Sequence, residues 1–295
     1  MVLKILAPAK INLALEIFEK VKNSSYHNVD MIMQSVSLFD VVELSTHDSE
    51  EVLIESDKNL NCTTKNNICY KVAEEFFNYL NIKNLNIKNR GVKINIKKRI
   101  PICAGLAGGS SDGAALLVGL NKIFKTGLSE IELCKIGGKV GADIPFCIVG
   151  GTARAKGIGT DLYKIENRAN LYVVIVKPDI SVSTAFAYEK IDSIKTLDFF
   201  DVSKLESSLK SGNIEEIGKN LFNRFERVID SKETEKIKKI LKENGSVGSL
   251  MSGSGPSVYG IFKDESKAMD CFENIKKIYP ETFLCNFISH GVKFL

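Results

Sequence analysis

Twelve residues, Pro101-Ile102-Cys103-Ala104-Gly105-Leu106-Ala107-Gly108-Gly109-Ser110-Ser111-Asp112, restrict the folds open to this chain more than any other segment. Before them Val92, Ile94 and Ile96 alternate with Lys93, Asn95 and Lys97, a period of two that predicts a half-buried strand ended by Pro101. After them the pattern predicts a helix from about Asp112 to Phe124. A strand therefore feeds a turn of small residues that opens into a helix. Glycine reaches positive φ and lets the backbone approach a ligand closely. The first amides of a helix have no internal acceptor and sit at the positive end of its dipole. Together these features suit a polyphosphate. Two familiar phosphate loops do not fit: no Lys follows as G-x-x-x-x-G-K-[ST] requires, and Ala107 holds the second glycine position of G-x-G-x-x-G. A tight connection without a ligand stays open as the other reading of this segment alone.

The rest of the chain reads as mixed strands and helices without repeats. Ile11, Leu13, Leu15 and Ile17 alternate with Asn12, Ala14 and Glu16, predicting a strand over Ala9–Ile17 with Lys10 and Asn12 on its non-core face. Asn66-Asn67 precede a helix with Cys69, Val72, Ala73, Phe76, Phe77 and Leu80 as its apolar side, and Ser129 caps a helix from Glu130 to about Val140. The apolar run Leu171–Val176 predicts a buried strand, and Ile191–Asp201 reads as irregular. Helices are expected over Val202–Lys210, Ile214–Arg227, Glu233–Asn244 and Ser266–Ile278, with strands over Ser257–Phe262 and Leu284–Ser289. This is an α+β pattern, divided into domains at 1–165 and 166–295.

Composition excludes several classes. Of 295 residues 44% are hydrophobic and 26% charged, the mix of a globular chain rather than a disordered or coiled-coil one. The net charge of +4 is too small to predict binding to nucleic acid. No apolar run reaches the roughly 18–20 residues of a membrane span. Lys4 and Lys10 break up the apolar start, so Ala7-Pro8-Ala9 is not expected to be a cleavage site, and the protein is expected to be cytoplasmic. The seven cysteines contain no C-x-x-C pair and are expected to be buried free thiols, and three scattered histidines do not predict zinc.

Three segments in order carry a resemblance. Pro101-x-x-x-Gly105-Leu106-x-Gly108-Gly109-Ser110-Ser111, the N-terminal Ala7-Pro8-Ala9-Lys10-Ile11-Asn12-Leu13 and the C-terminal Met251-Ser252-Gly253-Ser254-Gly255-Pro256-Ser257 resemble the motifs of the GHMP kinases. Tyr26-His27, Gly141-Ala142-Asp143-Ile144-Pro145-Phe146 and Val182-Ser183-Thr184 are similar to the branch that acts in the non-mevalonate isoprenoid route. The resemblance implies a two-domain fold, with an N-terminal domain of the ribosomal protein S5 domain 2 type and a ferredoxin-like C-terminal domain. It implies a site between the domains, and ATP-dependent phosphorylation of the 2-hydroxyl of a CDP-linked methylerythritol, with Mg2+ accompanying ATP. The alternatives are a mevalonate- or homoserine-type kinase of the family and a non-catalytic ligand sensor.

The resemblance also implies roles for residues. Residues Pro101 to Ser111, and Asn67 near the adenine, would hold ATP. Lys10 and Asp143 would be catalytic, with Asp143 as general base; read alone, Lys10 is a surface strand lysine and Asp143 a turn or cap aspartate. Ser111 would contact metal or phosphate, and Asp112 is either a nearby carboxylate or an ordinary first-turn helix acid. Asn12, Tyr26, His27, Thr184, Tyr188 and Gly253 would contact the acceptor, with Tyr26 and Tyr188 sandwiching cytosine. Ser25 stands where the family usually has Gly. A monomer and a homodimer are both compatible with the sequence.

Overall fold

Two long paired strands organise the fold. The computed structural model describes every residue except 1, 23, 25, 86, 88 and 195–197, so Ser25 lies outside the described residues. The first strand, β1 (Val2–Lys20), pairs antiparallel with β2 (His27–Thr46) along nearly its whole length. Register shifts fall between Pro8 and Ala9, between Asn12 and Ala14 and between Ile17 and Lys20. Irregularities of this kind re-aim side chains, and Lys10 and Asn12 lie between the first two. The expected strand over 9–17 is thus the middle of a longer one. Its second face is covered as well: Lys10 and Asn12 are both buried, not displayed on an open face.

The elements that follow are β3 (Val52–Ser56), α1 (Ile68–Ile82), β4 (Val92–Lys97), α2 (Gly108–Ile123), α3 (Glu130–Val140), α4 (Ile144–Val149), β5 (Thr152–Lys156) and β6 (Asp161–Lys164). The main sheet runs β3-β4-β2-β1, with β5 pairing β2 and β6. Its core joins Ile5, Val42, Leu44 and Ile94 of the strands to Val72, Phe76, Leu116 and Leu120 of α1 and α2. Ser129 caps α3 in a reciprocal capping box with Glu132.

The C-terminal part contains β7 (Tyr172–Val176), α5 (Thr184–Asp192), α6 (Val202–Ser211), α7 (Ile214–Lys219), β8 (Phe222–Asn223), α8 (Lys232–Glu243), β9 (Gly248–Met251), β10 (Val258–Phe262), α9 (Glu265–Lys276), β11 (Thr282–Asn286) and β12 (Lys293–Phe294). The second sheet has the antiparallel order β11-β7-β10-β9, the 4-1-3-2 order of a ferredoxin-like domain. The division expected at residue 165 would fall between β6 and β7, yet β8 and β12 both return to pair with β1. An apolar layer of Ile11, Leu13, Ile32, Leu250, Tyr259 and Ile261 joins the two halves.

Four expectations are corrected. The helix over 214–227 is α7 followed by β8 and a 3-10 turn over Arg224–Arg227, because Arg224 turns inward to pair with buried Glu16 at 2.5 Å. The helix expected from Asp112 starts at Gly108, where packing overrides the weak helix preference of Gly and Ser. The segment expected to be irregular over 191–201 begins with the last turn of α5. Cys62 and Cys103 are exposed, although the other five thiols are buried or partly so.

Candidate active site

The glycine turn forms one wall of a cavity of about 620 Å³ between the two halves of the chain. Cys103 and Ala107 adopt φ of 53° and 56°, and Gly105 lies at +74°. Ala107 occupies the N-cap position of α2 in left-handed geometry and supplies no side-chain cap. The first helical amide bond runs from Ser111 to the Ala107 carbonyl at 2.9 Å, so the preceding amides of the helix are left for a ligand. Cys103, Gly105, Ala107 and Ser110 line the cavity. Pro101, Ile102, Ala104, Leu106, Gly108, Gly109 and Ser111 are not part of its lining, although the Gly108 and Gly109 amides belong to the unpaired first turn of α2.

Gly105 shows how tightly the turn is set. A Cβ there would stand 2.1 Å from the backbone oxygen of Ser252. The Ser252 hydroxyl also donates to the Gly105 carbonyl at 2.9 Å and accepts from the Asn12 amide at 3.4 Å. One serine of the C-terminal glycine loop therefore ties the turn to β1. Gly105→Ala is expected to cost at least about 1–2 kcal/mol from the left-handed backbone alone. The urea midpoint measures it, and an unchanged midpoint would show that the turn can move away from Ser252.

Lys10 and Asp143 face each other across the cavity floor. Lys10 Nζ lies 3.7 Å from Asp143 Oδ2 and donates to Asn12 Oδ1 at 2.7 Å. The Lys10 amide donates to the Leu106 carbonyl at 3.1 Å, which fixes the lysine against the phosphate turn. Asp143 stands at the N-cap of α4, but its side chain makes no capping bond. Its carboxylate is 31% exposed while the Lys10 side chain is 7% exposed. An ammonium held beneath a carboxylate that opens to the cavity can orient a hydroxyl and receive its proton.

The opposite wall is aromatic. Tyr26, His27, Tyr188 and Phe225 all line the cavity. The Tyr188 ring stacks on His27 with centroids 4.8 Å apart and 20° between planes, and it meets Phe225 edge-on at 5.1 Å. The expected pairing is therefore altered: one face of Tyr188 is occupied by His27, whereas Tyr26 is 48% exposed at the rim. Burial, with the nearby Asp143 charge, pushes the Tyr188 hydroxyl up to about 12, so it stays a donor at neutral pH. Thr184 Oγ1 lies 2.8 Å from Ser254 Oγ, and the Gly253 carbonyl accepts from Asn223 Nδ2 at 2.8 Å. The Tyr259 hydroxyl donates to the Asn12 carbonyl at 2.8 Å, which locks the two halves beneath the site.

Two expected ligand contacts point elsewhere. Asn67 Oδ1 accepts from the Cys69 amide at 2.8 Å, so its side chain caps α1, and it is not part of the cavity wall. Ser111 is fully buried and its hydroxyl donates to the Pro8 carbonyl at 2.7 Å, because the earlier start of α2 turns it toward β1. Its neighbour Ser110 is the serine that reaches the cavity. Among the described residues no group of three or more His, Cys, Asp or Glu side chains gathers to hold a metal ion.

Sequence reasoning missed a cluster behind the turn. Lys98 Nζ pairs with Asp40 Oδ2 and, at 2.7 Å, with Asp112 Oδ2, all nearly or fully buried. Asp40 Oδ1 accepts from the amides of Arg99 and Ile100 at 2.5 and 2.9 Å. Lys98 Nζ stands 3.3 Å from where a Cβ on Gly108 would be, so the cluster braces the start of α2 from beneath. Asp112 is thus neither a first-turn acid nor a wall of the cavity. Burial pushes its carboxyl up to about 8, with Lys98 opposing the rise and Asp40 adding to it. Lys98, one of three basic residues in the run Lys97-Lys98-Arg99, gave no signal of this arrangement. Leu15, Val29, Met31 and Ile158, also unmarked in the sequence, complete the apolar part of the wall.

Comparison with known proteins adds to the geometry. Family models described as GHMP kinases N terminal domain and GHMP kinases C terminal match residues 67–151 and 205–281. Curated relatives named 4-diphosphocytidyl-2-C-methyl-D-erythritol kinase include one from Alkaliphilus oremlandii, 39% identical over 97% of this chain and 96% of its own length. Another from Clostridium tetani is 40% identical over 97% and 100%. A crystal structure of 4-(cytidine 5'-diphospho)-2C-methyl-D-erythritol kinase superposes with a TM-score of 0.75 at 24% identity, covering 98% of this chain and 100% of the other. Homoserine kinase from Cytophaga hutchinsonii gives 0.78 at 19% identity, covering 100% and 97%. These structural likenesses carry the fold. Among the described residues no helix is long and apolar enough to cross a membrane.

Proposed function

The chain belongs to the GHMP kinase family, in the branch of the 4-diphosphocytidyl-2-C-methyl-D-erythritol kinases, and from this we propose that it phosphorylates the 2-hydroxyl of 4-diphosphocytidyl-2-C-methyl-D-erythritol with ATP. This is a step of the non-mevalonate isoprenoid route. The single observation that carries the reading at the level of chemistry is the Lys10–Asp143 pair, 3.7 Å apart in the cavity that the glycine turn walls.

Phosphoryl transfer asks mainly for alignment and charge neutralisation. In this reading the free amides at the start of α2 receive the triphosphate. Asp143 takes the proton of the acceptor hydroxyl as its oxygen bonds to the γ-phosphorus and the bond to the bridging oxygen of ADP breaks. Lys10, beside that carboxylate, balances the charge on the oxygens of the transferring group. Tyr26, His27 and Tyr188 bind the cytidine end, and Asn12, Thr184 and Gly253 shape the passage between them. Mg2+, carried with ATP, would neutralise the phosphate oxygens. Ser110 and Asp143, among the oxygen-bearing side chains that line the cavity, could help hold it, with phosphates and water supplying the remaining ligands a hard cation needs. In the same reading the domains divide at 1–165 and 166–295, with the turn in one half and the second glycine loop in the other.

The test is ADP formation with a panel of acceptors. The CDP-linked alcohol is expected to be turned over and mevalonate and homoserine are not. Turnover of either small alcohol without the CDP-linked one would overturn the acceptor assignment, and ATP binding without ADP formation across the panel would overturn the kinase reading.

A further inference from the structure

We infer that Asp192 is a positioning residue that holds the His27 ring in one protonation pattern and so sets the preference for an amino-bearing pyrimidine in the acceptor. This rests on the reading of the cavity as the site of a cytidine-linked alcohol. His27 is the first residue of β2, and its side chain is 3% exposed at the cavity wall. Asp192 is the last residue of α5. His27 Nε2 and Asp192 Oδ1 lie 2.7 Å apart, and this is the only hydrogen bond the His27 ring makes among the described residues.

A carboxylate can only accept, so the nitrogen facing it must carry the proton. In the neutral ring the other nitrogen, Nδ1, is then an acceptor. Cytosine presents an exocyclic amine that donates, whereas uracil presents a carbonyl oxygen at the same place that accepts. A ring held in this tautomer therefore favours the former. The ring plane is set as well, because His27 stacks on Tyr188 and Tyr188 rests edge-on against Phe225.

The same contact fastens a helix. Only Ala187 and Ile191 of α5 are buried, which is little apolar anchorage for nine residues. Polar ties hold its two ends: Thr184 meets Ser254 at 2.8 Å, and Asp192 meets His27. Tyr188 lies between them and faces the cavity. The Asp192 side chain is 45% exposed, so a change there leaves the core intact and acts through His27.

The experiment compares wild type, Asp192→Asn and Asp192→Glu with CDP-linked and UDP-linked forms of the acceptor alcohol, at saturating ATP and then with ATP varied. An amide can turn its NH2 toward Nε2 and shift the ring proton to Nδ1, reversing the hydrogen bond offered to the base. Asp192→Asn is expected to raise KM for the CDP-linked alcohol roughly tenfold. It should reduce the CDP-to-UDP ratio of kcat/KM by a similar factor and leave KM for ATP within about twofold. Asp192→Glu should recover most of the ratio. An unchanged ratio in Asp192→Asn with an active wild type would overturn this inference alone. A parallel loss in kcat and both KM values with no change in ratio would also overturn it, as a merely structural effect. A wild type inactive on the CDP-linked alcohol would overturn the functional reading and this inference with it.

Discussion

Asp143→Asn should lower kcat by roughly 10²–10⁴-fold, the range lost with a general base, while KM for ATP and the thermal midpoint stay close to wild type. The substitution keeps volume and removes the charge and the proton-accepting power. The fold has little stake in the carboxylate. It makes no cap bond to α4 and is 31% exposed, and the amide that replaces it still turns an acceptor oxygen toward Lys10. The remaining partner, Lys10, keeps its bond to Asn12 Oδ1 at 2.7 Å and remains in place. Rates of ADP release with saturating substrates, paired with a melting curve, measure both quantities. A near-normal kcat in a folded variant would remove Asp143 from the proton transfer and leave Lys10 and the helix amides as the whole of the catalytic apparatus.

The second large effect is on stability. Lys98→Met is expected to destabilise the protein by about 3–5 kcal/mol, the range for stripping one partner from a buried charge cluster. Lys98 is 3% exposed and is the cation between Asp40, fully buried, and Asp112, 3% exposed. Burial lowers the lysine's pKa, but the two carboxylates outweigh it and hold it above the usual value. Without the ammonium both acids would face each other in the core. The urea midpoint checks the loss, and Lys98→Met with Asp112→Asn should recover part of it. A midpoint equal to wild type would show that the cluster contributes nothing net. The pH dependence has a definite sign. Asp112 is raised from 3.8 to about 8, so its protonated form is favoured in the fold. Its contribution is full below the unfolded value and is lost as pH rises toward and through about 8. Asp112→Asn should flatten that part of the stability profile.

Much of the candidate site was legible because its chemistry is written locally. The glycines and the alternation around Lys10 show within a few residues, whereas the roles of Lys10 and Asp143 came from the resemblance of their motifs to the family. Lys10, Asn12, Tyr26, His27, Asp143, Thr184, Tyr188 and Gly253 all line one cavity. What was not legible is instructive. β2 went unmarked: its apolar positions shift phase where the pairing with β1 changes register, and a reading by strict alternation loses the strand there. Asn67 and Ser111 are of types that can serve ligands or backbone equally well, and only the placement of α1 and α2 decided for the backbone.

The sequence by itself determined the turn between β4 and α2, the strand that bears Lys10 and, after residue 170, the elements β7, α6, α8, β10 and α9. Backbone sterics and side-chain periodicity act over neighbouring residues, so one chain segment contains the whole cause. Tertiary structure alone decided that Asp40 would meet Lys98 across 58 residues and His27 would meet Asp192 across 165. It also decided that Ser252 would brace Gly105 across 147. Those contacts depend on how sheets and helices stack, and a hydrogen bond or ion pair formed at that distance along the chain leaves no pattern in either segment read alone.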